Sequence, residues 1–558
     1  MVSAIKDLPE NKTTSMEKRN KKGLLVFSLA FFLFIITKDA WLCDDAYITF
    51  RVVDNFIHGY GLTWNTDERV QTYTHPLWML LLSLVYFFTH EIYYSSLVLS
   101  ITVSFIAVGI FSLYLARSPL LATLGITVLA ASKSFVDFST SGLENPLTYL
   151  LIVIFMLVFY RSQHKDHYVF FLGLVAGLAT LNRMDTLLLF LPTLIVVFYQ
   201  FPGWKSAKAL LLGFLPFLCW EAFSLCYYGF LFPNTAYAKL DTGIDRAQLL
   251  SHGIGYFVSS FTFDPLPFVI IAVSVLFLFE RSAWQDLPFL IGIGLYLLYT
   301  LVIGGDFMAG RFLTEPFLIA VILLAHTSFP SLKSKSKWIM AFAIILLFEI
   351  VVPNSRWYPL SKSNILTDQR GVTDERAFYA DATALVKVEH ITLWPNSVWL
   401  REGLQARLSG QHVVVRSTIG LFGFGAGPHV HIVDIWALGD PLLARLPEGE
   451  GRDSESIQRW AEDDSSLANL PALPPWRIGH FTRSIPAGYL ETLASGTNVI
   501  HDKQLALYYS KLQEITRGPL FSIQRWIDIW KFSIGSYDYL LKHYSSGINQ
   551  IGGFLPHS

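Results

Sequence analysis

Two adjacent aspartates, Asp44 and Asp45, follow the first long apolar segment of the chain in the stretch Trp41-Leu42-Cys43-Asp44-Asp45-Ala46-Tyr47. Carboxylates are costly to place at a membrane exit, which makes this pair the first candidate for chemistry. One can take a proton as a general base while the other orients it or binds a cation. Asp45 also suits the N-cap of a helix from Ala46 to His58, whose apolar positions Ile48, Val52, Phe56 and Ile57 form a face fit for a membrane surface. Neighbours at a helix start point in different directions, so the two aspartates should not share one job.

Four later clusters carry further candidates. Glu144 opens an apolar segment, where the helix dipole favours an acid. Arg183 and Asp185 lie two apart between apolar segments, as an ion pair holding a turn or as a ligand site. Asp306 and Arg311 bracket glycine-rich backbone, where a charged ligand can come close. Lys239, in Pro233-Asn234-Thr235-Ala236-Tyr237-Ala238-Lys239, and Arg311 are the cations best suited to a lipid phosphate, Arg for its fork and Lys as a point charge. Gly420 to Gly427 imitates a dinucleotide loop but lacks a following helix. His429 and His431 share a strand face without an evident third metal ligand, so packing explains them better. Cys219 and Cys226, seven apart on one apolar helix, are too distant to bridge.

The elements that must position these residues are apolar helices. With 53% hydrophobic and only 15% charged residues, the chain reads as a polytopic membrane protein, mainly α. Its net charge of -1 and scattered lysines and arginines argue against a nucleic-acid partner. About eleven spans are expected, near 24–41, 93–116, 119–136, 144–161, 168–182, 186–200, 206–228, 265–280, 287–303, 312–327 and 337–352. Lys18, Arg19, Lys21 and Lys22 before the first mark an uncleaved span with its basic end in the cytoplasm. The apolar run Pro76 to Phe88 is short; laid flat on the outer surface, it leaves nearly all loop lysine and arginine inside. Every polar cluster above then faces outward, and so does the tail.

Three regions result: a cytoplasmic stretch over 1–22, a membrane domain over 23–352 with its first outer loop at 42–92, and an extracytoplasmic mixed α/β domain over 353–558. In the tail, Gln411 to Arg416 and Val430 to Trp436 have strand patterning, Thr373 to Glu389 reads as a helix, and Glu448 to Asp464 as an acidic solvated loop.

The pattern Asp44-Asp45-Ala-Tyr-Ile-Thr-Phe-Arg51, then Gly59-Tyr-Gly-Leu-Thr-Trp-Asn65, Glu68-Arg69-Val70 and His75-Pro76-Leu77-Trp78, resembles the first outer loop of integral-membrane glycosyltransferases of the GT-C superfamily. It looks most like the mycobacterial terminal arabinofuranosyltransferase family. Ser141 to Glu144, Asn182 to Asp185, Pro233 to Thr235, Gly305 to Arg311 and Asp440 to Pro447 extend the likeness. The resemblance implies a GT-C fold in the bacterial cytoplasmic membrane. It implies a polyprenyl-phosphate sugar donor, arabinofuranose or another pentose or hexose, and an envelope glycan, lipid or glycoprotein acceptor. It makes Asp44 and Asp45 catalytic, and brings Arg51, His75, Glu144, Arg183, Asp185, Asn234 and Asp306 forward as substrate-binding candidates beside Lys239 and Arg311. Asp44-Asp45-Ala46 stands in place of the Asp-x-Asp or Asp-Glu forms that some superfamily members carry, so a divalent cation at Asp44 or Asp45 and a metal-free reaction both stay open. A transporter or flippase of a lipid-linked precursor is the rival reading, though such proteins place charge near the bilayer midplane.

Overall fold

The structure, a computed structural model, describes residues 15–163, 167–240, 244–281, 284–326, 367–368, 370–387, 395–447, 476–477 and 479–542. The expected span 337–352, the junction at 353 and the acidic stretch 448–464 lie outside the described residues.

The apolar runs fold into helices: α1 (Ser15–Lys38), α2 (Asp44–Ile57), α3 (Pro76–Thr89), α4 (Tyr93–Ile110), α5 (Pro119–Ala131), α6 (Lys133–Asp137), α7 (Asn145–Arg161), α8 (Tyr168–Asn182), α9 (Leu187–Gln200), α10 (Trp204–Gly213), α11 (Leu215–Tyr227), α12 (Asn234–Leu240), α13 (Arg246–Phe263), α14 (Leu266–Arg281), α15 (Leu287–Val302) and α16 (Thr314–His326). Proline stands in the first turn of α3, α5, α7, α11 and α15, where its missing N–H costs no hydrogen bond. Close approach of α8 to α10 depends on small residues, as the sequence spacing of Gly173 and Gly177 suggests. A Cβ at Gly213 would sit 2.6 Å from the Leu174 nitrogen.

The chain is a membrane protein; α8 coincides with its expected span at 168–182, while the run at 206–228 is divided into α10 and α11. Among the described residues, Tyr93–Leu115 and Trp284–Val302 are each long and apolar enough to cross. Two bent pairs, Trp204–Gly213 with Leu215–Tyr227 (56°) and Arg246–Phe263 with Leu266–Leu278 (101°), qualify if each is one span. α13, rich in Gly, Ser and Thr, has no counterpart among the expected spans. α2 begins two residues earlier than expected, with Cys43 and not Asp45 at its N-cap.

The described tail contains α17 (Glu375–Thr383), α18 (Val398–Leu408), β1 (Val413–Arg416), α19 (Gly420–Ala426), β2 (His431–Asp434), β3 (Trp476–Arg477), β4 (His480–Phe481), α20 (Tyr489–Ser495), α21 (Lys503–Arg517) and α22 (Ile523–Ser533). β1 and β2 pair in parallel, Val413 opposite His431 and Arg416 opposite Asp434, with α19 as their crossover. β3 and β4 form a separate antiparallel pair. The glycine-rich run that lacked a helix in sequence is therefore itself the helix. Its glycines admit neighbouring chain: Gly403 and Gly425 let α18 and α19 touch.

Buried polar contacts fasten the tail to the membrane helices. Asp44 accepts from the Gly420 and Leu421 N–H groups (2.8 and 2.7 Å) at the start of α19. Arg51 donates to the Val430 and Gly423 carbonyls (2.8 and 3.1 Å) and stacks 4.4 Å above Trp64. Asn234 donates to the carbonyls of Ala437, Leu438 and Asp440, and the wholly buried Arg483 to that of Ala238. Gly420 is the tightest of these joints, since a Cβ there would lie 1.8 Å from the Asp44 carbonyl oxygen. Gly420→Ala is expected to push α19 off α2 and to cost at least about 1–3 kcal/mol, read as a lower melting temperature in detergent. Unchanged melting would mean that the joint is loose.

Candidate active site

A cavity of about 320 Å³ opens where α2, α12, the turns before α9 and α16, and the β3–β4 hairpin meet. Asp45, His75, Arg183, Asp185, Lys239, Asp306 and Arg311 line it, so seven candidates from separate stretches of sequence come to one place. Glu144 lies just behind this wall. Three others are elsewhere: Asp44, Arg51 and Asn234 do not line the cavity but face the tail, in the joints just described.

Glu144 is fully buried and organises the basic wall. Its Oε1 takes Arg311 Nη2 at 2.8 Å and Arg183 Nη1 at 3.2 Å, and its Oε2 lies 3.2 Å from His75 Nδ1. Burial alone would raise its pKa, but Arg311, His75 and Arg183 outweigh it and hold the carboxyl well below the usual range. Arg311 is likewise buried, and Glu144 more than offsets that cost, keeping the guanidinium charged. Arg183 has a second anchor in Asp185 (2.7 Å), donates to the Tyr296 hydroxyl (2.9 Å) and stacks 4.3 Å over Phe312. The arginine and aspartate two apart are thus an ion pair that also borders the cavity.

With Nδ1 of His75 facing Glu144, Nε2 is left to the Thr49 hydroxyl at 2.8 Å. Thr49 lies one helical turn after Asp45, on the same face of α2, and both border the cavity. Asp44 is turned away because residues i and i+1 project about 100° apart on a helix. Burial pushes its carboxyl up to about 7, while the Leu421 and Gly420 N–H groups pull the other way.

Lys239 differs from the arginines. Its Nζ sits 5.9 Å over the Phe307 ring, and it has no acidic partner among the described residues. Arg311 Nε, Asp185 Oδ1, Thr72 Oγ1 and Thr235 Oγ1 make no hydrogen bond among the described residues, and Asp306 Oδ2 lies 3.8 Å from Arg311 Nη1. Beside them Phe232, Leu240, Tyr299 and Ile303 supply an apolar wall.

Sequence reasoning missed Thr49, Thr72, Thr235, Tyr299 and Glu315. The four-residue step from Asp45 could have suggested Thr49. Glu315 is a lone acid in an apolar run, a recognisable signal; it is wholly buried, accepts from Asn145 (2.8 Å) and lies 3.8 Å from Arg183. No grouping of three or more His, Cys, Asp or Glu side chains able to hold a metal occurs among the described residues. His431 pairs with Asp67 (2.9 Å), and His429 meets Tyr60 edge to face.

No family model matches the chain. It is 27% identical over 533 residues, 78% of this chain and 84% of the relative, to the terminal beta-(1->2)-arabinofuranosyltransferase of Mycobacterium tuberculosis. The protein of the same name from Corynebacterium glutamicum is 26% identical over 391 residues, 62% of this chain and 56% of the relative. Among solved structures, the oligosaccharyltransferase of Archaeoglobus fulgidus aligns with a TM-score of 0.41 and 12% identity, over 74% of this chain and 62% of that one. By sequence, over most of its length, the chain resembles the terminal beta-(1->2)-arabinofuranosyltransferases.

Proposed function

We propose that this protein is a glycosyltransferase that moves a sugar from a polyprenyl-phosphate donor to an envelope acceptor on the outer face of the bacterial cytoplasmic membrane. The observation that carries this reading is the cavity itself: a half-buried carboxylate, Asp45, shares it with Lys239, which has no acidic partner among the described residues, with polar side chains and with an apolar wall. A lipid-linked sugar phosphate needs each of these. The names of the relatives favour arabinofuranose as the sugar.

In the reaction, the acceptor hydroxyl attacks the anomeric carbon and Asp45 takes its proton. The bond from that carbon to the phosphate oxygen breaks, and the lipid phosphate leaves with the electron pair. Lys239, with Arg311 behind it, stabilises the charge on the leaving group. A single displacement inverts the anomeric centre and needs no covalent intermediate. Loop charge orients the tail and this cavity outward, with the N-terminus inside. The charged groups gather at helix ends on one side, which favours an enzyme over a transporter.

The test is transfer of radiolabelled sugar from polyprenyl-phosphate arabinofuranose to arabinan fragments by the protein in membranes, with mass spectrometry of envelope glycans from a deletion strain. Native protein should transfer label, and the deletion strain should lack one sugar residue. No transfer, with an unchanged envelope, would reject the reading. Lys239→Ala should raise the donor KM by roughly 10- to 100-fold, the worth of a charge-assisted hydrogen bond, without altering melting. An unchanged KM would exclude Lys239 from the phosphate site.

A further inference from the structure

Helix α22 is built inside out. Two of its three charged residues turn inward: Arg525 and Asp528 are wholly buried, and Lys531 is half-buried. Arg525 donates from Nη1 to the Cys226 carbonyl (2.8 Å) and from Nη2 to that of Tyr227 (3.0 Å), satisfying carbonyls at the C-terminal end of α11. Asp528 accepts from the Tyr537 hydroxyl (2.5 Å) and from Gln524 (3.0 Å). Ile529 packs at Gly229, where a Cβ would meet it at 3.2 Å. The apolar residues turn outward. Ile523 is 78% and Trp530 61% exposed, Trp526 and Ile527 are exposed beside them, and Phe521 and Ile534 flank the helix in the same state. A helix on a water-facing protein surface has the opposite arrangement.

α10 and α11 together qualify as a bent span, and their Leu211, Leu212, Leu215 and Leu218 are exposed. α22 is bonded to the end of that span, the level at which a crossing helix leaves the hydrocarbon. Tryptophan and isoleucine facing outward at this level match the boundary between acyl chains and headgroups, where the indole ring has an apolar body and a polar N–H to satisfy.

We propose that α22 is an interfacial membrane anchor: its Ile523, Trp526, Ile527 and Trp530 face lies in the headgroup-to-acyl boundary of the bilayer and fixes the tail at the end of α11. α11 leads through Leu231 and Phe232 into α12, which carries Lys239, so the anchor holds the tail at the same boundary as the cavity mouth. The inference rests on reading α10–α11 as a membrane span.

The experiment uses the full chain in phosphatidylethanolamine–phosphatidylglycerol nanodiscs, with Cys219→Ser and Cys226→Ser to remove the accessible native thiols. Single spin labels are placed through Ile527→Cys, Trp530→Cys, Leu218→Cys on α11 and Leu408→Cys, at a leucine of the tail that is 87% exposed. Collision with oxygen, relative to a water-soluble nickel chelate, should be several-fold greater at 527 and 530 than at 408. If 527 and 530 match 408 while 218 is lipid-accessible, the anchor is wrong and the span reading stands. If labels at 527 and 530 are immobile and reached by neither agent, a protein partner covers the face and the anchor is again wrong. If 218 also matches 408, the span reading fails with it.

Discussion

Asp45→Asn is expected to lower sugar transfer by roughly 100- to 10,000-fold, the range for loss of a general base, with melting close to native. Asp45 borders the cavity and amidation keeps its shape, so the loss should fall on turnover. Asp44→Asn should do the reverse. Both Asp44 oxygens accept backbone N–H groups at the start of α19. An amide has one acceptor oxygen, so its NH2 group would face a buried N–H donor at a cost of about 1–3 kcal/mol. That cost should appear in melting and yield, with turnover per folded molecule far less affected than in Asp45→Asn. Measured together in the same membranes, the two variants separate the roles. If Asp44→Asn melts normally yet is inactive while Asp45→Asn transfers sugar, the proton acceptor has been placed on the wrong residue.

Glu144→Gln should be the most disruptive substitution in stability. It removes the shared counter-ion of Arg183 and Arg311 inside the protein, and breaking a buried pair costs about 3–5 kcal/mol because the partner charge stays behind. A glutamine would also set one donor against another at His75 Nδ1 if its NH2 group replaced Oε2. The pH dependence has a definite sign. The folded protein holds Glu144 below its ordinary pKa, so its contribution is fully present above the unfolded value and is lost as pH falls through the lower folded value. Native protein should therefore lose this stabilisation only on strong acidification, and Glu144→Gln should lack that part of the acid transition. Scanning calorimetry in detergent across pH would read both effects. Native melting in Glu144→Gln would show that the arginines find other partners.

Much of this arrangement was legible in the residues, because charges are rare in apolar sequence and each one stands out. Asp45, Arg183, Asp185, Lys239, Asp306 and Arg311 were all visible as polar interruptions, and the structure gathers them around one cavity. Strand patterning located β1 and β2 to within a few residues. The helix in Gly420 to Ala426 was hidden because glycine disfavours helix locally; tertiary contacts with α2 and α18 override that preference. Thr49 and Thr235 were hidden because hydroxyls are common on apolar helices and carry no mark of where they point.

Sequence by itself determined the membrane character, the apolar segments and the inventory of charged groups, since these follow from composition and spacing along one chain. It also required that Asp44 and Asp45 face different ways, because the helical turn separates neighbours. Which of them meets the cavity could be decided only by tertiary structure. That choice depends on α19, some 370 residues away, whose first two N–H groups claim Asp44 and leave Asp45 to the cavity. The same contacts between distant segments turn Arg51 and Asn234 toward the tail and place Glu144 behind the arginines instead of before a ligand.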